Sequence, residues 1–186
     1  MKTGATELRA ILNAYKQVME ASWPQLHPAM FGRAQHWAGA NEADLQQELN
    51  GYLAQASGPG CNVRIFWKML PGFTFGGCNA VLARDAGVRA PAEMIGLDDY
   101  NKRFPWALQA AKYRVDDQNV VNRGMPMLDI IERQQQASGL AWLRSGKTPI
   151  KTAEGKIIGL LGMYEPLDAE TGGKLFVQSS KKAQAR

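Results

Sequence analysis

Histidine and cysteine are scarce, with two of each in 186 residues. That shortage argues against a disulfide scaffold, a zinc finger and any site needing three or more imidazole or thiolate ligands. Long apolar runs are missing too, because no segment reaches the roughly 18 to 20 uninterrupted apolar residues that a bilayer span requires. The opening Met1-Lys2-Thr3-Gly4-Ala5-Thr6-Glu7 brings an acidic residue before any apolar run, which is the wrong order for a secretory leader. These gaps leave one globular domain with an extra helical segment, expected in a reducing cytoplasm and away from membranes.

A concentrated charge of one sign is lacking as well. The formal net charge is +5, but residues 1–58 carry −1, residues 59–168 carry +3 and residues 169–186 carry +3. More than half of the excess therefore sits in a short basic tail, and the middle is close to balanced. A basic groove is not supported, so nucleic acid is not an expected partner. Lys174, Lys181, Lys182 and Arg186 keep a DNA-associated regulator as the weaker alternative to a solvated end.

What is present divides at Ser57-Gly58-Pro59-Gly60, where two glycines and a proline break any regular structure. Ahead of it, Leu8, Ile11, Leu12, Tyr15, Val18 and Met19 recur at spacings of three and four, forming one apolar stripe on a helix that Pro24 ends. A second helix is expected over residues 42–55, capped by Asn41, with Leu45, Leu49, Tyr52 and Leu53 on one face. The first stripe either packs on the main domain or forms a dimer interface with a second copy.

After the boundary the pattern turns toward strands. Residues 63–70 and 73–77 read as a hairpin around Pro71-Gly72. Short helical pieces over 79–86 and 92–95, a longer helix over 106–122 closing at Gly124, and three strands over 129–135, 140–148 and 156–164 follow. Strands, then helices, then strands make an α+β domain with an antiparallel sheet and helices gathered on one side. The domains so defined are residues 1–58, a helical N-terminal extension; residues 59–168, the main domain; and residues 169–186, a basic tail.

Ile65-Phe66-Trp67-Lys68, Gly72-Phe73-Thr74-Phe75-Gly76-Gly77-Cys78-Asn79 and Gly96-Leu97-Asp98-Asp99-Tyr100 resemble the opening half of a PAS sensor domain. Trp142-Leu143-Arg144-Ser145-Gly146-Lys147-Thr148-Pro149-Ile150, with Glu154-Gly155-Lys156 running on to Tyr164, is similar to its closing strands. The resemblance implies a five-stranded antiparallel sheet whose concave face is either a ligand cavity or a solid core, in a sensory, signal-transducing or dimerising module. Asn79 would cap the helix after the second strand. Gly155 would form the last hairpin turn, and Gly159 and Gly162 would allow close approach inside the final strand. One departure is Pro166, expected to interrupt the final strand.

The same residues bear on cofactors. His27 and His36 both precede the boundary, which removes the histidine ligand of the common haem PAS domains. No Asn-Cys-Arg-Phe-Leu-Gln type sequence is present, so a cysteinyl flavin is disfavoured, and Cys78 reads as a small apolar residue. No metal site and no catalytic residue is expected. Asp98-Asp99 and Asp116-Asp117 are adjacent pairs whose members point apart, and they read as turn and helix surface. What remains is a small organic ligand in an aromatic-lined cavity. From position in the fold that the resemblance implies, its lining would be Trp67, Phe75, Trp106, Tyr113, Asn122, Trp142, Lys147 and Tyr164, with Arg114 as a further polar anchor. The expectation is a regulatory homodimer that answers to a small molecule and addresses a downstream signalling protein; the alternative is a ligand-free protein-interaction module with a filled core.

Overall fold

A computed structural model describes residues 4–24, 34–59 and 61–184. Helix α1 (Ala5–Ser22) and helix α2 (Glu42–Ala56) come first, α2 capped by the Asn41 side chain, which accepts from the Asp44 amide at 3.0 Å. Strands β1 (Arg64–Met69) and β2 (Thr74–Cys78), short helix α3 (Ala80–Asp85), helix α4 (Ala110–Arg123), strands β3 (Met127–Gln136), β4 (Gly139–Lys151) and β5 (Ile157–Leu167), and helix α5 (Ala169–Gln184) follow. The five strands form one antiparallel sheet in the order β2-β1-β5-β4-β3.

Alternation along each strand sends neighbouring side chains to opposite faces of the sheet. On the outer face, Ile65 and Trp67 of β1, Ile150 of β4 and Leu161 and Met163 of β5 share a core with the stripe of α1 and with Leu45, Leu49 and Tyr52 of α2. On the inner face, β1 presents Arg64, Phe66 and Lys68 toward α3, α4 and the segment between them. Asn79 fastens the two layers: its Oδ1 accepts from the amides of Ile65 (3.1 Å) and Leu82 (3.3 Å), and its Nδ2 donates to the Val63 carbonyl (2.8 Å). The cap expected from the sequence thus also pins α3 to β1.

Three expectations are corrected. Leu8, Ile11, Leu12, Tyr15, Val18 and Met19 are at most 1% exposed, against the sheet and α2, so this stripe cannot serve as a dimer interface while α1 stays docked. Gln17 accepts from Thr148 at 3.3 Å, and Arg144 donates to the Ser22 carbonyl at 3.3 Å, which ties α1 to β4 as well. Pro166 does not end β5; it sits opposite Leu143 of β4, beyond the Arg64–Tyr164 pair where β1 stops, so its missing N–H has no ladder bond to break on that side. The basic tail is a helix through Gln184: Asp168 accepts from the Thr171 amide at 2.8 Å at its start, and Phe176 packs on Trp142 at 5.4 Å between ring centres. Arg186, Gly60 and His27 lie outside the described residues, and His36 is exposed.

Gly162 faces the Phe66 ring so closely that a Cβ there would run into it, which is the close approach anticipated in the final strand. Gly155 takes the left-handed conformation (φ 83°) in the β4–β5 turn.

Candidate functional site

The inner face of the sheet, roofed by α3, α4 and the chain between them, encloses a cavity of about 30 Å³. That is room for about one water molecule. Phe66, Phe75, Trp106, Tyr113 and Tyr164 line it together with Lys68, Asp99, Glu132, Gln134, Ser145 and Lys147. The rings touch in sequence: Phe66 meets Phe75 edge-on at 5.9 Å, Phe75 meets Phe104 at 5.6 Å, and Phe104 stacks on Trp106 at 5.0 Å.

Into this aromatic shell project two ammonium groups. Lys68 Nζ donates to Asp99 and, at 2.7 Å, to Asp117 Oδ2, while Lys147 Nζ donates to Asp117 Oδ1 at 2.7 Å. All four residues are at most 3% exposed. Lys68 also stands over the faces of Phe66 (5.3 Å) and Phe75 (5.2 Å), and Lys147 over Tyr113 (5.8 Å). Burial alone would push the Lys68 ammonium down, but the Asp99 and Asp117 carboxylates outweigh it and hold the group above the ordinary lysine value. Burial likewise would raise Asp117, and Lys68 and Lys147 outweigh it and hold its carboxyl below the ordinary value. A second network closes the far end: Asp85 accepts from Arg64 Nε (2.6 Å), Tyr164 Oη (3.0 Å) and Gln136 Nε2 (3.1 Å). Glu132 accepts from Ser145 at 2.8 Å and from Lys112.

Of the eight lining residues named from the sequence, the fold brings together Phe75, Trp106, Tyr113, Lys147 and Tyr164. Three lie elsewhere. Trp67 alternates to the outer face, among the residues packed with α1. Trp142 also points outward, under α5, with Arg133 over its ring at 5.4 Å. Asn122 is exposed near the end of α4. Arg114 is outside the chamber as well, pairing with Asp98 at 3.5 Å and lying over Phe73 and Tyr100 at 4.8 and 5.4 Å.

Lys68, Asp99 and Asp117 were not anticipated as a site. The members of each acidic pair do diverge, but one of each goes inward: Asp98 meets Arg114 while Asp99 enters the chamber, and Asp116 is half-buried while Asp117 is fully buried. A signal was present in β1, where a lone lysine in Ile65-Phe66-Trp67-Lys68-Met69-Leu70 has apolar neighbours on both sides. Cys78 is buried against Met94, with its thiol pushed up to about 12 by burial, which fits the apolar role expected of it. A larger depression of about 800 Å³ beside α2, between His36, Trp37, Asp44 and Gln55, is an open surface groove without the enclosure of the inner chamber.

No family model and no curated protein matches the sequence. Solved structures do. The phage VqmA–DPO complex superposes with a TM-score of 0.54 at 16% identity, over 75% of this chain and 60% of that one. A light-oxygen-voltage domain studied with a flavin analogue gives 0.53 at 17% identity, over 73% of this chain and 96% of that one. This chain has a PAS fold. A Vibrio cholera VqmA–ligand–DNA complex gives 0.50 at 23% identity, over 54% of this chain and 45% of the other, so the chain spans about half the length of that protein. With DNA in that structure, the low expectation for nucleic acid finds no support among the PAS neighbours. Among the described residues, no helix is long and apolar enough to cross a membrane.

Proposed function

We propose that this chain is a sensory PAS module that takes a small organic molecule into the chamber beneath the inner face of its sheet. The observation that carries the reading is the ionic cluster Lys68–Asp99–Asp117–Lys147 inside an aromatic shell. A core built for stability alone gains little from such a cluster, because the desolvation of buried ions offsets their attraction and apolar replacements are often at least as stable. Charged groups held out of water among aromatic rings suit recognition of a small polar molecule instead. VqmA, similar in fold, was solved with DPO and with a ligand and DNA, which supports ligand binding here by analogy of fold.

The reading is of a binding module and not an enzyme, working in the cytoplasm and addressing a downstream partner. It includes a homodimer, with a changed surface: since the α1 stripe is buried, the exposed Leu140, Phe176 and Val177 support α5 and the start of β4 as the contact. Occupancy would bias the packing of the roof against the sheet, and only by the ligand's differential affinity for the two arrangements.

The 30 Å³ cavity favours a second reading, a ligand-free interaction module with a filled core. Native mass spectrometry of the purified chain and a thermal-shift screen of small heterocycles, acids and amines separate the two. The sensor reading expects a retained or stabilising compound that also changes Trp106 emission; a bare mass and a flat screen would leave the interaction module.

A further inference from the structure

The four charges of the Lys68–Asp99–Asp117–Lys147 cluster balance, two ammonium groups against two carboxylates, while Glu132, which lines the same chamber, is taken by Ser145 and by Lys112. The two carboxylates of the cluster are held differently. Asp117 lies mid-way along α4, with both oxygens committed, one to each lysine. Asp99 lies between the turn at Pro91–Met94 and the one at Ala107–Gln109, in chain with neither helix nor strand. That chain is fastened to β2 at one end, where the Phe75 amide donates to Leu97 (2.7 Å) and the Gly96 amide to Phe75 (2.8 Å). Beside Asp99, Tyr100 is exposed and Asp98 reaches Arg114 at 3.5 Å on the outside. Asp99 is thus a carboxylate delivered into the chamber by a surface loop, and it can leave without unwinding an element.

Charge then restricts what may enter. If a neutral molecule displaced Asp99, Lys68 would keep only Asp117, whose carboxylate it already shares with Lys147, and Glu132 stays committed to Ser145 and Lys112. The buried Lys68 ammonium would be left undercompensated, which is strongly disfavoured. An incoming anion restores the balance as Asp99 moves to water. Resting on the sensor reading above, we propose that Asp99 is an internal stand-in for the ligand, and that the ligand is a small planar organic acid whose carboxylate replaces Asp99 on Lys68. The rings of Phe66, Phe75 and Trp106 would take its planar body. Its entry would carry Asp98 and Tyr100 away from Arg114, so that occupancy is read on the surface.

Calorimetric titration of the full chain with acetate and benzoate, and with acetamide and benzamide as neutral counterparts, tests this. Removing the internal competitor in Asp99→Ala should tighten binding of the acids by at least about tenfold over wild type, since a competent state that is rarely populated weakens apparent affinity by its fraction. The amides should gain nothing. Asp99→Asn, which keeps the shape and removes the charge, should show the same preference if the alanine variant does not fold. The double variant Lys68→Met with Asp99→Ala keeps the Asp117–Lys147 pair and should lose the preference for acids. Amides that bind these variants as well as acids do, or acids that bind wild type and Asp99→Ala alike, overturn the proposal while leaving the sensor reading intact. Failure of the acids on both variants, together with a flat screen on wild type, overturns both.

Discussion

The two faces of one sheet are solved by different physics. Outside, the faces of β1, β4 and β5 meet α1 and α2 through aliphatic and aromatic side chains, with Ile11, Leu12, Tyr15, Ile65, Leu45, Ile150 and Leu161 all at 0% exposure. Inside, the same strands present Arg64, Lys68, Lys147 and Tyr164, joined to acidic partners from the roof, and Ser145, joined to Glu132 of β3. Both sets of residues are buried, so it is chemistry more than depth that distinguishes the faces. The outer face gains by removing apolar surface from water, about 25 cal/mol per Å². The inner face holds charges at a desolvation cost that their pairing roughly offsets. The inner face has its own apolar cluster around Phe75, Leu82, Phe104 and Trp106, so both faces contribute stability, and it is the charged cluster among those rings that is free to be shaped by recognition.

The sharpest way to break that division is to remove a charge. Asp117→Ala leaves Lys147 without the carboxylate it donates to and Lys68 with Asp99 alone. Removing one partner of a buried ionic cluster costs about 3–5 kcal/mol, measured by urea denaturation. It should also abolish ligand binding. A variant that keeps its stability would show that the buried charges are not interdependent.

The outer face should respond a little less and without functional consequence. Leu12→Ala removes a fully buried side chain at the α1–sheet contact and should cost about 2–5 kcal/mol, while Leu12→Met, which conserves volume, should cost less than about 1.5 kcal/mol. Neither should alter the affinity of any chamber ligand at a temperature where the variant is folded. A change in affinity would mean that the two faces are coupled through the sheet.

The division also explains what could be read in advance. Strand positions were legible because alternation and turn residues are local, as were the Asn79 cap and the Gly155 turn. Tyr113, Lys147 and Tyr164 were named for the chamber from position in the fold, but Trp67 and Trp142 were misassigned, because a one-residue uncertainty in register reverses the face of a strand residue. The ionic cluster was missed for a different reason. Lys68 finds Asp99 and Asp117 at separations of 31 and 49 residues, and no local pattern marks such a pairing. The C-terminal helix was hidden by Pro166, whose effect depends on β1 having already ended.

The smallest effect, and the one that separates the faces most cleanly, is in acid. Asp117 is held below its ordinary value by Lys68 and Lys147 acting against burial, so its contribution to stability is complete above the unfolded value of about 3.9 and is lost as pH falls through the depressed folded value. Asp116 has the opposite sign: burial raises its carboxyl despite Lys147 and Lys112, so protonation there relieves a penalty and blunts the net loss. The penalty of Asp117→Asn relative to wild type should accordingly be full near neutral pH and shrink as pH falls below about 3.9, because wild type then surrenders the same charge. The penalty of Leu12→Ala has no titrating group behind it and should stay constant over the same interval. Urea midpoints for both variants and wild type at neutral pH and near pH 3 decide the matter: parallel shrinkage of the two penalties would mean that acid loosens the whole sheet, and that the faces are not energetically separate.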